Sequence, residues 1–510
     1  MPLGRDAEAG GGVGFHAGRG EADAETGGPI VSVGDAHLAT FAPTGAGKGV
    51  SCVIPALLTH PGSVVAFDPK GELFRVTARR RREMGQEVVV LNPFGVLAGG
   101  ASREEKSCGK GRSGATEKPT TTKGDSTRGR KKVPPTLADE QFGRLNPLDM
   151  LTLPGADVET DARGLAASLA AGMRGMKDPF WDESGIGVVS GLIAHAATQS
   201  DPALRTLSWV HERLHCDDVA YNLATLLDSC GKTMNQFAYR EIAAFLQHAD
   251  AQTRPGVQAT AASYLKCLAG GRVPESLGGP RFEEPTGEEK SESKSETKSA
   301  KGKTKSAKRP PVQKPPYPPG SSSFDLAEFA AGRPTTIYLV IPPPKLDSHR
   351  GLLRLWVATL LEAVMSRETG LAVPTLFLLD EAAQLGQFPP LERAVTLCRG
   401  YGARVWTFWQ DLTQLKACYP TTWPGLLNNS GVKQAFGVRG AFAARGWAEV
   451  LDTPIATLRD LGADEQLLVL PDGVERRSAR LDYRTDPQFA GLFDPNPRHA
   501  KPEPARRRAR

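Results

Sequence analysis

The stretch Leu38–Val50, LATFAPTGAGKGV, constrains this chain more than any other. A short apolar run ends at Pro43, glycines at 45, 47 and 49 surround Lys48, and a second apolar segment follows. Glycines let a backbone curl tightly where other residues resist. Between a strand and a helix, such a loop turns its N–H groups inward as an anion nest, and the helix adds the positive end of its dipole. A lysine at the end of the loop then reaches the outer phosphates of a nucleoside triphosphate. The pattern departs from G-x-x-x-x-G-K-[ST] at both ends, with Ala42 for the first glycine and Gly49 for the hydroxyl residue. The candidate nucleotide-binding residues are Thr44, Gly45, Ala46, Gly47, Lys48, Gly49 and Val50; the plain alternative is a flexible glycine turn.

Far downstream, Thr375–Glu381 reads TLFLLDE, a buried-strand pattern ending in two acids. Adjacent carboxylates at a buried strand end cost too much desolvation to be casual. In a phosphoryl-transfer site they divide the work. Asp380 faces a magnesium ion, and Glu381 orients or deprotonates the attacking water. Either stretch alone is ambiguous; together, in this order and with strands between them, they predict a P-loop ATPase.

The segments around these two motifs alternate strand and helix. Ser63–Phe67 and Glu87–Leu91 read as strands, with helices over Val50–His60 (kinked or shortened by Pro55) and Leu73–Met84. Thr335–Ile341, Arg404–Trp409, Lys433–Val438 and Gln466–Leu470 extend the strand set, with an amphipathic helix over Asp347–Arg367 and helices Pro390–Arg399 and Leu412–Cys418. Such alternation predicts an α/β fold with a parallel-rich sheet. The expected organisation is a disordered leader (1–30), a first nucleotide-binding part (31–97), a low-complexity insert (98–135) and a return segment (136–157). An all-α insertion domain (158–284), a second low-complexity tract rich in Lys, Ser and Pro (285–320), the second nucleotide-binding part (321–495) and a basic tail (496–510) follow.

Net charge is +6, unevenly spread, with Lys and Arg gathered in the two tracts and the tail. Such runs are most simply solvated disorder, although they suit nucleic acid. The 7 cysteines include no C-x-x-C pair, which points to reduced thiols. No apolar stretch is long enough to span a membrane. His211–His215 spells H-E-x-x-H, the helical spacing of a zinc protease. No third ligand follows at a known spacing (Glu241 is the nearest), and an ordinary helix face is the better reading.

Several further motifs, in order, resemble the coupling ATPases of type IV secretion and conjugative DNA transfer. They are APTGAGKGV (42–50), DPKGE (68–72), NPF (92–94), NPLD (146–149), Phe180-Trp181, LLDEAAQLG (378–386), RGYGARV (399–405), the helix start Gln410–Leu415 and the tail Tyr483–Phe489. The resemblance covers roughly residues 31–493. In that family glycine commonly follows the loop lysine, so Gly49 fits, and a water or Thr44 replaces the usual hydroxyl on magnesium. The resemblance implies a RecA-like P-loop domain with an inserted all-α domain, ATP and Mg2+ as ligands, and homo-hexamers around a DNA channel. Implied partners are DNA, a relaxase or secreted protein substrate, and channel subunits. Such proteins usually begin with transmembrane helices. Without one, the expectation is a cytoplasmic protein meeting the inner face of the bacterial cell membrane through partners, unless an anchor lies upstream.

Three further side chains are candidates. Gln410 ends RVWTFWQ and should emerge beside the two acids, where a carboxamide senses the γ-phosphate; a helix cap is the alternative. Arg399 is the candidate arginine finger, reaching a neighbouring subunit's nucleotide, with a surface ion pair as the alternative. Asp68 and Lys70 touch nucleotide or an interface, or merely close a strand-end turn. The expected function is an ATP-driven translocase that couples DNA, nucleoprotein or protein to a secretion channel. The rivals are a housekeeping DNA translocase or helicase of the same fold, and a ring adaptor that binds substrate without hydrolysis.

Overall fold

Continuous apolar runs such as VVAF and TLFLL have no polar face to turn to water, so they belong in strands covered on both sides. In the computed structural model, which describes residues 1–6, 29–32, 34–98, 143–171, 179–248, 252–280, 320 and 322–496, these runs lie at the centre of a sheet. Its strands are β1 (Pro2–Asp6), β2 (Pro29–Val31), β3 (Leu38–Phe41), β4 (Val64–Phe67), β5 (Glu87–Leu91) and β6 (Thr335–Leu339). They continue with β7 (Thr375–Leu379), β8 (Ala403–Trp409), β9 (Val432–Ala435), β10 (Glu465–Val469) and β11 (Glu475–Ala479). The order across the sheet is β2-β1-β11-β10-β9-β3-β8-β7-β4-β6-β5. From β9 to β5 every pairing is parallel, and from β9 to β2 every pairing is antiparallel.

Parallel pairing aligns the carboxyl ends of β3, β8, β7 and β4 along one edge, with Phe41 opposite Trp409 and Leu379 opposite Thr407. Ligands of open α/β sheets bind outside that edge. The polypeptide on either side of residues 99–320 contributes to one sheet, since β4 and β5 both pair with β6.

Two layers cover the sheet. On one side, Ile54–Thr59, Glu72–Glu83 and the segment 481–496 share a core with Val64, Ala66, Leu376 and Leu378. Pro55 falls in the first turn of Ile54–Thr59, where its missing N–H costs nothing. The sequence predicts a kink or an early end there; instead the helix runs on to Thr59, and the preceding residues Gly49–Val53 form a wide π-type turn. On the other side, helix Pro343–Met365 crosses beneath the strands. It differs from the predicted amphipathic Asp347–Arg367: it starts earlier, kinks at His349, and buries nearly every side chain from Gly351 to Val364. From Gly351 onward it lies between the sheet and the helical region, so neither side meets water there.

The helical region comprises Val158–Ala170, Pro179–Ala197, Leu207–Leu214, Val219–Cys230, Gln236–Gln247, Thr253–Leu265 and Val273–Ser276. Their starts follow local chemistry. Asp157, Thr206, Asp218 and Asn235 each accept a backbone N–H of the first turn. Gly191 lets Gln236–Gln247 pack close against Pro179–Ala197, since a Cβ there would stand 2.7 Å from that of Glu241.

The reading of residues 1–30 as a disordered leader is corrected at both ends. Leu3 and Ile30 are buried, so Pro2–Asp6 and Pro29–Val31 pair as strands. Arg5 adds a paired contact to Asp486, with Nη2 2.6 Å from Oδ1 and Nε 2.9 Å from Oδ2. Residues 7–28 lie outside the described residues, as do 99–142, 281–319 and 497–510, on which the two tracts and nearly all of the basic tail fall.

Candidate functional site

The ends of β3, β4 and β7 converge on one cavity of about 580 Å3, lined by Thr44, Gly45, Gly47, Lys48, Gly49, Val50, Asp380 and Glu381 together with groups from the β4 turn. That volume is typical of a small-molecule site. The loop after β3 curls because Gly45 and Gly47 adopt φ of +79° and +93°, a region costly for residues with a Cβ. Ala46 N–H closes the turn onto Pro43 O at 3.1 Å. Lys48 is buried, and its Nζ lies 3.3 Å from Ala42 O and 3.4 Å from Glu381 Oε1. Glu381 Oε2 accepts in turn from Gln410 Nε2 at 3.1 Å. Lys48, Glu381 and Gln410 therefore form one chain of contacts across three strand ends.

Glu381 itself sits at φ +68°, one of two non-glycine residues with positive φ among the described residues. Such a conformation costs on the order of 1–3 kcal/mol, and strain of this kind gathers at working sites. It turns the carboxylate back toward Lys48 and away from the following 3-10 turn.

Asp380 Oδ1 is sealed from solvent and has no hydrogen-bond partner among the described residues. Burial pushes its pKa up to about 6, opposed by the Lys48 ammonium and reinforced by Glu381. An orphaned carboxylate oxygen of this kind, in a cavity that contains a glycine nest and a lysine, suits a hard divalent cation shared with a phosphate. The residues present fit ATP with Mg2+. Gly49 supplies no hydroxyl, Ser51 Oγ accepts instead from Arg480 Nη2 at 2.9 Å, and Thr44 lies at the cavity wall.

Asp68 has another task. It is buried, and its two oxygens accept the N–H groups of Glu72 and Phe74 at 2.9 Å each, capping helix Glu72–Glu83. Burial raises its pKa to about 6 against the pull of those backbone N–H groups. Both turn residues line the cavity, Asp68 while it caps the helix and Lys70 two positions further on.

Arg399 is not brought to this site. It precedes β8 at the opposite edge of the sheet, half-exposed, with Nη2 2.9 Å from Asp35 Oδ1. The seven residues of β8 separate it from Gln410, about 23 Å at strand spacing. Within one chain it makes the surface ion pair that was the alternative.

Two arginines escaped the sequence reading. Arg480 Nη2 donates to Ala46 O at 2.6 Å, and its guanidinium lies over the Phe436 ring, 4.4 Å from the centroid. Arg484 lines the cavity. Both follow β11 in RRSARLDYR, where nothing in the local pattern sets them apart from surface arginines. The H-E-x-x-H motif builds no metal site: His211 and His215 stack at 3.9 Å, and His215 Nδ1 lies 2.8 Å from the His211 carbonyl oxygen. No group of three or more metal-ligating side chains occurs among the described residues. No helix among them is long and apolar enough to cross a membrane.

A family model described as Type IV secretory system Conjugative DNA transfer matches residues 11–101 and 319–440, bracketing the helical region. Protein VirD4 of Rhizobium radiobacter is 26% identical over 401 residues, covering 78% of this chain and 45% of that protein. The chain thus spans about half the length of the curated relatives it matches. Among solved structures, the bacterial conjugative coupling protein TrwBdeltaN70 in its unbound monoclinic form superposes with a TM-score of 0.55 at 13% identity, over 90% of this chain and 87% of that one. Plasmid coupling protein TrwB in complex with ADP and Mg2+ gives 0.55 at 13% identity over 88% and 85%. At such identity these superpositions speak for the fold alone. Sequence and fold together make the chain similar to the type IV secretory system conjugative DNA-transfer family, and its fold matches that of the coupling protein TrwB.

Proposed function

We propose that this chain is the motor part of a coupling protein: a P-loop ATPase that uses hydrolysis to move DNA, or a nucleoprotein or protein substrate, toward a type IV secretion channel. One observation carries the reading. Lys48 and Glu381, separated by 333 positions, meet at 3.4 Å in a single cavity beside Asp380 and Gln410. TrwB, of the same fold, is a plasmid coupling protein described in complex with ADP and Mg2+, which supports a nucleotide in this cavity.

Before nucleotide binds, Lys48 rests on Glu381 and on the Ala42 carbonyl. An arriving triphosphate offers more negative charge than one carboxylate and draws the ammonium onto its outer phosphates. Glu381, released by Lys48 but still held by Gln410, is then free to orient a water for in-line attack. Gln410 links that carboxylate to the end of β8 and so couples the state of the phosphate to the helix that begins after Asp411. Asp380 is the residue that would hold Mg2+, which when bound neutralises charge on the transferring phosphate. A role for Arg399 in trans requires a neighbouring subunit, in keeping with a homo-hexamer around DNA.

The test is DNA-stimulated ATP hydrolysis by wild type and Lys48→Ala. The variant is expected to fall to background. Equal rates in the two proteins would end the motor reading and leave the adaptor that does not hydrolyse.

A further inference from the structure

The cavity wall is completed by Arg484, from the segment 481–496, which follows β11 and packs with helices Ile54–Thr59 and Glu72–Glu83. Its course is fixed by buried anchors. Tyr483 is 1% exposed and meets Phe493 edge-on at 4.9 Å, Phe489 is fully buried, and Asp494 N–H bonds to the Val76 carbonyl at 2.9 Å. With Tyr483 fixed in the core, its neighbours Asp482 and Arg484 reach the surface together. Arg484 Nε lies 2.8 Å from Asp482 Oδ1, and its Nη2 2.5 Å from Oδ2, a two-pronged pair at the mouth of the cavity.

We propose that Arg484 is a nucleotide-contacting residue that exchanges the Asp482 carboxylate for the phosphate chain when a nucleoside triphosphate binds. The inference rests on the reading of this cavity as a nucleotide site. Three cations line the cavity, Lys48, Lys70 and Arg484, and two of them are each held by a carboxylate, Lys48 by Glu381 and Arg484 by Asp482. The arginine pair is half-exposed, with 46% and 30% of the side-chain surfaces open. Solvent screening makes such a pair weak, whereas a guanidinium fork on phosphate is among the stronger charge-assisted contacts. The exchange therefore runs toward the nucleotide. It breaks no covalent bond and moves no proton. Asp482 is a positioning residue that keeps the guanidinium at the rim, aimed inward, until phosphate arrives.

The experiment uses the full chain and titrates a non-hydrolysable ATP analogue with Mg2+ into wild type, Lys48→Ala, Arg484→Ala, Arg484→Lys and Asp482→Asn. Arg484→Ala is expected to bind about tenfold more weakly, the loss of one hydrogen-bonded charge contact. Arg484→Lys should fall between, because lysine keeps the charge without the fork. Asp482→Asn should bind a few-fold more tightly than wild type, a gain that damaged folding cannot produce. Arg484→Ala binding within twofold of wild type overturns the inference while leaving the nucleotide site intact. So does equal weakening of Arg484→Ala and Asp482→Asn, which would make the pair a structural brace. If wild type binds no better than Lys48→Ala, the nucleotide reading fails and this inference fails with it.

Discussion

Arg480 Nη2 donates to the backbone carbonyl of Ala46 at 2.6 Å, although the two residues are 434 positions apart. The same nitrogen would stand 2.6 Å from a Cβ placed on Gly47. The glycine loop is thus shaped from outside by a side chain far along the chain, as well as by its own glycines.

Replacing Arg480 by Ala leaves the Ala46 carbonyl and the Ser51 hydroxyl without their donor. Each such loss in a partly buried place costs about 1–3 kcal/mol. Urea unfolding should show a drop of that order, and nucleotide affinity should fall with it. Gly47→Ala combines positive φ with that close approach, so its affinity loss should exceed the loss in stability.

Glu381→Gln keeps the shape of the side chain and removes its charge. Lys48 loses its carboxylate partner and is freer to take phosphate, so analogue binding should hold or improve. Hydrolysis should fall by about 10²–10⁴, the usual weight of a general base. Single-turnover ATP hydrolysis beside equilibrium binding separates the two effects.

Asp68→Ala tests the cap against a nucleotide contact. Loss of two N–H partners at the start of Glu72–Glu83 should cost about 1–2 kcal/mol in thermal or urea unfolding. The affinity for ATP analogue should change far less than it does in Lys48→Ala. A loss of binding as large as that of Lys48→Ala would return Asp68 to the site.

His60 is buried with Nε2 2.9 Å from the Pro374 carbonyl oxygen, and burial lowers its pKa to about 4. The unfolded chain takes up a proton near pH 6.5, the folded one only near pH 4. Stability from this group is therefore complete above pH 6.5 and is lost as pH falls toward 4. Between pH 7 and 5 wild type should lose about 2 kcal/mol relative to His60→Gln, measured as the difference between their urea midpoints at the two pH values.

The sequence revealed the parallel centre of the sheet because strands buried on both faces are written as unbroken apolar runs, and 87–91 was legible to the residue. It revealed Lys48, Asp380, Glu381 and Gln410 because each sits where such a run stops. The antiparallel half was harder to see. Glu475–Ala479 reads ERRSA, mostly charged, and is a strand only because β10 and β1 flank it. Pro2–Asp6 is five residues with a single buried apolar anchor, Leu3, and one of its two partners, β11, lies at the other end of the chain. Arg480 and Arg484 were hidden for the same reason. Their role comes from the path of the backbone, and no short pattern records a path. Arg399 lies before β8, away from its own chain's cavity, where the nucleotide it would meet is a neighbouring subunit's.

One mechanical consequence lies in the edge of the sheet. Strand β11 is clamped between β10 and β1, and Arg480 is the first residue beyond it. Tension on Pro2–Asp6 would reach the phosphate loop through one strand and one guanidinium, without passing through any helix. Whatever grips the chain near its first residues holds a short lever on the cavity proposed for nucleotide.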